Sequence, residues 1–290
     1  MKRKLKINPI LKKEMMVGSR SMKMSWAIMG ISGILTAIVV FVLIINGLSS
    51  NYGGYSYSSL VVLFPVLGCA ECGMLSLLVP VITSGSISGE REKQTLDIML
   101  TTPVSPFSIV VGKLWSAMII VMMYMAASVP VLAIAFVLGG LSWWNLLGLF
   151  VMLIYLGIYV GSVGIFCSSV VKKSIAATIL TMVIGIGIIV GTVTVFSTAY
   201  SVVAAYSIAN GGANVTDPWG LSLIFLVNPY SPIFDFMLRA MSDSSIYDIV
   251  TGTSTNAAFS VVFRFWIPIS MAINLLIAHG FLKAASKRVG

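Results

Sequence analysis

The chain has 290 residues, of which 58% are hydrophobic and 9% are charged, and its formal net charge is +9. A soluble domain carries about 25% charged residues because its surface faces water, so this composition excludes a single soluble domain. It also excludes disorder, which requires low hydrophobicity. The composition therefore indicates a multi-pass membrane protein whose outer surface faces lipid.

The first predicted element is an amphipathic helix at residues 7–23, ahead of the first apolar run. Apolar side chains fall on one side of its helical wheel, and lysine and arginine side chains fall on the other. Such a helix lies in the membrane interface with its basic face towards the headgroups. Glu14 falls near the middle of the apolar face, where it either extends its carboxylate to the headgroups or pairs with a neighbouring lysine, or else contacts a cytoplasmic partner.

Six apolar segments are each long enough to cross the membrane, since a ~30 Å hydrocarbon core needs about 20 residues of helix. The predicted spans cover residues 26–46, 60–84, 114–138, 146–170, 174–196 and 261–282. The predicted fold class is therefore an all-α integral membrane protein, with residues 1–290 forming one transmembrane domain.

The basic residues predict the orientation of these spans. Of the 18 Lys and Arg residues, all but Arg239 and Arg264 lie before span one, between spans two and three, between spans four and five, or after span six. Because cytoplasmic segments are enriched in Lys and Arg, both termini are predicted to be cytoplasmic. The positive charge is thus a signal of topology, and no nucleic-acid partner is predicted.

The second span contains Cys69, Glu71 and Cys72 within one helical turn. Two thiols and a carboxylate could bind a soft metal, but one turn supplies too few ligands, so no metal site is predicted. A carboxylate inside a span costs about 2.5–3.5 kcal/mol on insertion scales. Glu71 must therefore face a cavity, pair or be protonated, and it is either a packing residue or part of a transport path.

The loop between spans two and three, residues 88–104, is the cytoplasmic loop long enough to fold. A short helix is predicted over Glu90–Thr101, with Pro103 ending it. Ser105 and Pro106 then fit the cap and first position of the next helix. The predicted loop helix combines charges of both signs with apolar side chains, which suits a protein partner better than an anionic membrane.

The outer segment, residues 197–260, contains two apolar stretches on either side of the sequence NPYSP at 228–232. Each stretch is too short to span a membrane, which predicts a re-entrant or interfacial helix before span six. Arg239 follows Asp235 at the i,i+4 spacing of an ion pair on one helix face.

The chain lacks the phosphate-binding sequence G-x-x-x-x-G-K-[ST]. Its Gly-Lys pair is Gly112-Lys113, and Phe107 occupies the position of the first glycine. With a single histidine and no serine–histidine–aspartate set, the chain is not predicted to be an enzyme by itself or to bind a cofactor. If ATP drives the protein, another chain must bind ATP and magnesium.

Two short stretches resemble the permease subunits of ABC exporters of the ABC-2 family, which have a type V exporter-like transmembrane domain. They are NPILKKE at 8–14, and GERE at 89–92 followed by TL at 95–96 and TTP at 101–103. The resemblance implies a connecting helix before span one and a coupling helix after span two, which docks to an ATP-binding subunit. The residues implied at this docking contact are Glu14, Glu90, Arg91, Glu92, Lys93, Thr95, Leu96 and Asp97.

The leading hypothesis is the permease subunit of an ATP-driven exporter in a bacterial cytoplasmic membrane. Its implied partners are an ATP-binding subunit, a second permease chain, identical or homologous, and membrane lipid; the long outer segment leaves room for an accessory protein on the outer side. Two alternatives stay open: an ion-coupled secondary transporter that uses Glu71, and a membrane assembly subunit without transport. A docking helix, a single carboxylate within the spans and no clear inverted repeat favour the exporter.

Overall fold

The computed structural model describes residues 22–49, 60–95, 105–139, 142–209, 222–242, 262 and 264–289. The helices in these ranges are α1 (Met22–Ser49), α2 (Leu63–Thr83), α3 (Gly85–Glu92), α4 (Pro106–Gly139), α5 (Trp143–Val170), α6 (Ser174–Ala209), a 3₁₀ helix (Leu223–Val227), α7 (Ser231–Ser242) and α8 (Trp266–Val289). No strand is present in the described ranges, so the all-α prediction is confirmed for them.

Six helical segments are long and apolar enough to cross a membrane, as predicted. They are α1, α2 continued by α3, α4, α5, α6 and α8. The 21 residues of α2 alone match the ~30 Å core, so we place α3 outside the membrane-spanning segment.

Several helices extend beyond the predicted spans. α4 begins at Pro106 rather than at Leu114, and α8 runs to Val289 rather than ending at Leu282. α6 has 36 residues and ends at Ala209, so the predicted outer segment begins as a continuation of this helix. At 1.5 Å per residue α6 is about 54 Å long, well beyond the hydrocarbon core. Hydropathy predicts the part of a helix that lies in lipid. A helix can continue beyond this part with the same backbone hydrogen bonds, and this continuation has no hydropathy signal.

The predicted start of α4 is confirmed by its capping contact. The Ser108 backbone N–H donates to the Ser105 Oγ at 3.3 Å, and Pro106 is the first helical residue. Ser142 caps α5 in the same manner by accepting from the Trp144 N–H at 3.4 Å. A proline at the first helical position loses no hydrogen bond, because its N–H would have no partner within the helix.

The chain divides into two compact units, residues 1–181 with 278–290 (unit 1) and residues 182–277 (unit 2). Unit 1 is built around α5, which packs against α2, α3 and α4, while α1 packs against α2 and α4. Fully buried leucines such as Leu149, Leu153 and Leu156 form the inward face of α5. Glycines on α5 permit close approach: a Cβ added at Gly161 would lie 2.8 Å from the Leu114 Cδ1 on α4.

Unit 2 is organised around Trp266 at the start of α8. Its ring is 1% exposed and packs against partly buried side chains that include Leu223 and Leu238. The Trp266 Nε1 donates to the Ser231 Oγ at 3.0 Å, and the Asn228 Nδ2 donates to the Thr192 Oγ1 at 2.7 Å.

The 3₁₀ helix and α7 occupy the two apolar stretches on either side of the NPYSP sequence. The predicted ion pair is also present, with the Arg239 Nε 2.9 Å from the Asp235 Oδ2. The re-entrant position of this segment in a membrane stays a prediction.

Candidate functional site

Five of the eight residues proposed for docking lie in the described part of the chain: Glu90, Arg91, Glu92, Lys93 and Thr95. The other three, Glu14, Leu96 and Asp97, lie outside the described residues, as does nearly all of the predicted interfacial helix 7–23. The described part of the site therefore consists of the end of α3 and the residues that contact it.

Of the predicted helix Glu90–Thr101 the structure describes residues 90–95, and residues 96–101 lie outside the described residues. α3 begins at Gly85 and ends at Glu92, so Glu90 and Glu92 lie in its last turn rather than at the start of a separate helix. The Gln94 N–H donates to the Arg91 carbonyl and the Thr95 N–H to the Glu90 carbonyl. Gln94 has a φ of 57°, and this left-handed residue with its two reversed hydrogen bonds is a Schellman cap. The cap closes α3 within the described residues, after Glu92.

Glu90 is held by two side chains of the same chain. Its carboxylate accepts a hydrogen bond from the Thr95 hydroxyl, and its Oε1 lies 3.2 Å from the Lys113 Nζ on α4. The Thr95 hydrogen bond, together with the nearby charge of Lys113, lowers the pKa of the Glu90 carboxyl from its ordinary value. Glu90 therefore links the end of α3 to the first turns of α4.

Glu92 contacts the first residue of α6. The Ser174 N–H donates to the Glu92 Oε1 at 2.9 Å, and the Ser174 hydroxyl donates to the Oε2 at 2.8 Å. These two hydrogen bonds from Ser174 lower the pKa of the Glu92 carboxyl from its ordinary value. A carboxylate at a helix N-terminus is also stabilised by the helix dipole.

Arg91 and Lys93 differ from these two glutamates. Neither forms an ion pair or a side-chain hydrogen bond with another residue in the part of the chain that the structure describes. Lys93 is exposed and Arg91 is half-buried. The positive charge of Lys93 also contributes to the lowered pKa of both Glu90 and Glu92.

Contacts among the described residues bring several helix ends of unit 1 together. These are the ends of α3, α5 and α8 and the starts of α4 and α6, and we call this region the basic end of unit 1. The Arg288 guanidinium lies 5.9 Å from the centre of the Phe166 ring, which itself packs on Phe281. The Phe107 ring of α4 packs edge-on against His279 of α8. The sequence predicts that the loop between spans two and three, the loop between spans four and five and the C-terminal segment share the cytoplasmic side. The described parts of these three segments meet at one end of unit 1.

Serine residues at the basic end were not singled out from the sequence, although they carry much of its geometry. Ser168 of α5 is fully buried, and its Oγ accepts from the Ile87 and Ser88 N–H groups, each at 2.9 Å. Ser84 and Thr178 share a hydrogen bond between their hydroxyls. The available signal was the recurrence of serine at positions 84, 86, 88, 168 and 169 near the ends of apolar segments.

Glu71 lies in a second feature of unit 1, away from the helix ends. Its side chain is 5% exposed, and its Oε1 has no hydrogen-bond partner among the described residues. It borders an open pocket between α1, α2 and α4. The pocket is lined by Ile31, Glu71, Met74, Leu75, Leu78, Tyr124, Met125 and Ser128. Of the three alternatives for Glu71, which were to face a cavity, to pair or to be protonated, this position fits the first, and its role in transport stays a prediction.

The two cysteines beside Glu71 differ from each other in exposure. Cys69 is exposed, whereas Cys72 is buried. Within the described residues, no three side chains of the His, Cys, Asp or Glu types come together as metal ligands would.

Six helices in the described residues that are long and apolar enough to cross a membrane define a multi-pass helical membrane protein. The family model described as "ABC-2 family transporter protein" matches residues 49–278. The chain therefore belongs to the ABC-2 family of transporter proteins, and it is a permease of an ABC transporter. No curated protein matches the chain.

Proposed function

We propose that this chain is the membrane-spanning subunit of an ATP-driven exporter and that a separate ATP-binding subunit docks at α3. The observation that carries the proposal is the end of α3, where Arg91 and Lys93 stay unpaired among the described residues while Glu90 and Glu92 fasten the helix to its neighbours. A docking element needs both properties, since it must be rigid with respect to the bundle and must present groups to a partner. ATP and magnesium are bound by the partner in this proposal.

The proposed setting is a bacterial cytoplasmic membrane with both termini on the cytoplasmic side. This orientation is supported by the gathering of basic segments at one end of unit 1, because such segments favour the cytoplasm. A second permease chain, identical or homologous, completes the proposed assembly. Support for that pairing comes from α6, whose Gly187 and Gly191 would meet nothing within 4 Å if a Cβ were added. The continuation of α6 to Ala209 leaves surface for an accessory protein on the outer side.

A pull-down of the full-length chain tests the proposal. We expect an ATP-binding chain with a phosphate-binding loop to co-purify and its ATPase rate to rise in the complex. Arg91→Glu combined with Lys93→Glu should weaken that association, since both charges are reversed at groups with no ion pair among the described residues. Lys172→Glu combined with Lys283→Glu is the matched control, because both lysines are exposed at the basic end but lie on other helices. Equal association of the two double variants would contradict docking at α3.

The unpartnered Oε1 of Glu71 favours one further candidate, an ion-coupled carrier in which this carboxylate exchanges a proton or cation. Glu71→Gln keeps the shape of the side chain but removes its charge, whereas Glu71→Asp keeps a carboxylate. Reconstituted vesicles without ATP would be given a proton gradient. Transport by the wild type and by Glu71→Asp, but not by Glu71→Gln, would establish the carrier and exclude the exporter. We expect no transport without ATP.

A further inference from the structure

α3 is held by side chains from three other helices. From α5, the Ser168 Oγ accepts the Ile87 and Ser88 N–H groups. These N–H groups lie in the first turn of α3, where no carbonyl of the same helix is available. From α4, Lys113 pairs with Glu90 at 3.2 Å.

The third attachment is the one between Glu92 and α6. Both oxygens of the Glu92 carboxylate are engaged, one by the Ser174 N–H and the other by the Ser174 hydroxyl. Ser174 opens α6, so its N–H would otherwise lack a partner within the helix. The same serine accepts from the Ser88 Oγ at 3.4 Å, and a Cβ at Gly89 would lie 3.5 Å from the Ser174 Oγ. The last turn of α3 and the first turn of α6 are thus in direct contact.

We infer that Glu92 is a positioning residue that clamps the first turn of α6 to α3, so that a displacement of α3 by a docked ATP-binding subunit reaches α6 directly. This inference rests on the proposed function. It gives Glu92 a different task from Arg91 and Lys93, because its carboxylate oxygens are directed at α6 rather than offered to a partner. In this inference α6 receives the displacement of α3 in addition to α2 and α4, the two helices that flank the loop at residues 88–104.

The clamp is tested first on the purified full-length chain in lipid nanodiscs by hydrogen–deuterium exchange. Glu92→Ala should speed exchange of the amides at 174–178 about two- to fivefold, the range expected when a carboxylate is lost from an exposed helix N-terminus. Ser174→Ala removes one of the two hydrogen bonds and should give a smaller change. The double variant should equal Glu92→Ala, since both substitutions remove the same contact. Lys172→Ala, at an exposed neighbour, is the control and should change nothing.

The coupling role is tested on the complex with the ATP-binding subunit. Adding a non-hydrolysable ATP analogue with magnesium should change exchange in the first turn of α6 for the wild type and for Ser174→Thr, which keeps the amide and the hydroxyl. Glu92→Ala should assemble as the wild type does and lose this response. Ser174→Ala, a milder change, should lose it in part.

The outcomes separate the clamp from the proposed function. If the wild-type chain recruits no ATP-binding subunit, the proposed function fails. The exchange data on the chain alone still test whether Glu92 contacts Ser174. If Glu92→Ala assembles and responds like the wild type, the clamp is overturned. If Glu92→Ala leaves exchange at 174–178 unchanged but abolishes assembly, Glu92 is a docking residue and the clamp is overturned as well.

Discussion

Gln94 ends α3 with a backbone conformation that side chains other than glycine rarely adopt. Its φ of 57° lies in the left-handed region, where the Cβ crowds the following carbonyl. The position corresponds to the residue after a helix cap, where glycine is the common choice. The strain is tolerated because two reversed hydrogen bonds, from Gln94 and Thr95, satisfy the last carbonyls of the helix.

Gln94→Gly should therefore stabilise the protein, because glycine adopts this φ without steric cost. The expected gain is about 1 kcal/mol, seen as a higher Tm of the purified chain. Lys93→Gly is the control: Lys93 has a φ of −84°, so glycine there adds only flexibility and should lower the Tm. A lower Tm for both variants would argue against the left-handed cap.

The carboxylates of Glu90 and Glu92 give the site a defined pH dependence. Both have a pKa below their ordinary value of 4.5, so their hydrogen bonds contribute stability above that value. This contribution is lost as pH falls through the lowered pKa of each folded carboxyl. The Tm difference between the wild type and a Glu90→Gln/Glu92→Gln variant should thus be constant from pH 7 to about 5 and shrink below pH 4.5. A difference that disappears already near neutral pH would contradict these contacts.

At the scale of elements, the packing of α2 on α5 depends on glycine. A Cβ at Gly164 would overlap the Thr83 Oγ1, and Thr83 is itself fully buried. The Thr83 hydroxyl donates to the Val79 carbonyl, which keeps it from turning away. The two helices can approach this closely only because Gly164 has no side chain.

Gly164→Ala should lower stability by about 1–3 kcal/mol, the usual cost of overpacking a core, with a matching fall in Tm. Adding Thr83→Ala removes the overlapping hydroxyl and should recover part of the loss. Gly280→Ala is the control on α8, where a Cβ meets nothing within 4 Å, and it should be neutral or slightly stabilising. Equal effects at Gly164 and Gly280 would show that α2 and α5 are not in close contact.

Helices as elements were predictable from the sequence, but their ends were not. A run of about 20 apolar residues demands a helix in lipid, since its backbone has no other hydrogen-bond partners there. The end of α3 depends instead on the Schellman cap at Gln94, a residue that carries no strong termination signal. The residues proposed for docking, apart from Glu14, could be located to one loop from the sequence, whereas the division of that loop's charges into those bound within the chain and those without an ion pair could not. That division depends on Lys113 and Ser174, which are distant in sequence.

At the scale of the whole molecule, α6 is the least buried of the six candidate spans in the described residues. Only 6% of its most apolar window is buried. Lipid covers such a surface adequately, so exposure alone does not require a protein. Gly187 and Gly191 lie one turn apart with open space around them, and this spacing allows two helices to approach closely.

Gly187→Ile combined with Gly191→Ile should therefore separate a permease pair without lowering the Tm of the single chain. Light scattering coupled to size-exclusion chromatography would report the mass. Gly30→Ile with Gly33→Ile is the matched control on α1, where both glycines are equally open. Separation by the α1 variant, with the α6 variant still paired, would move the interface to α1.

The sequence by itself determined that the protein is a six-span helical membrane protein, because an apolar composition with so few charges can only be accommodated in lipid. The distribution of those charges also predicted which segments share one side of the membrane, and two short motifs indicated the family. The tertiary structure decided which of the few charges act within the chain. Glu90 and Glu92 are bound by residues of other helices, Glu71 borders a pocket, and Arg91 and Lys93 form no ion pair among the described residues. Such assignments depend on distances between residues far apart in the chain, which helical packing sets and which no local pattern encodes.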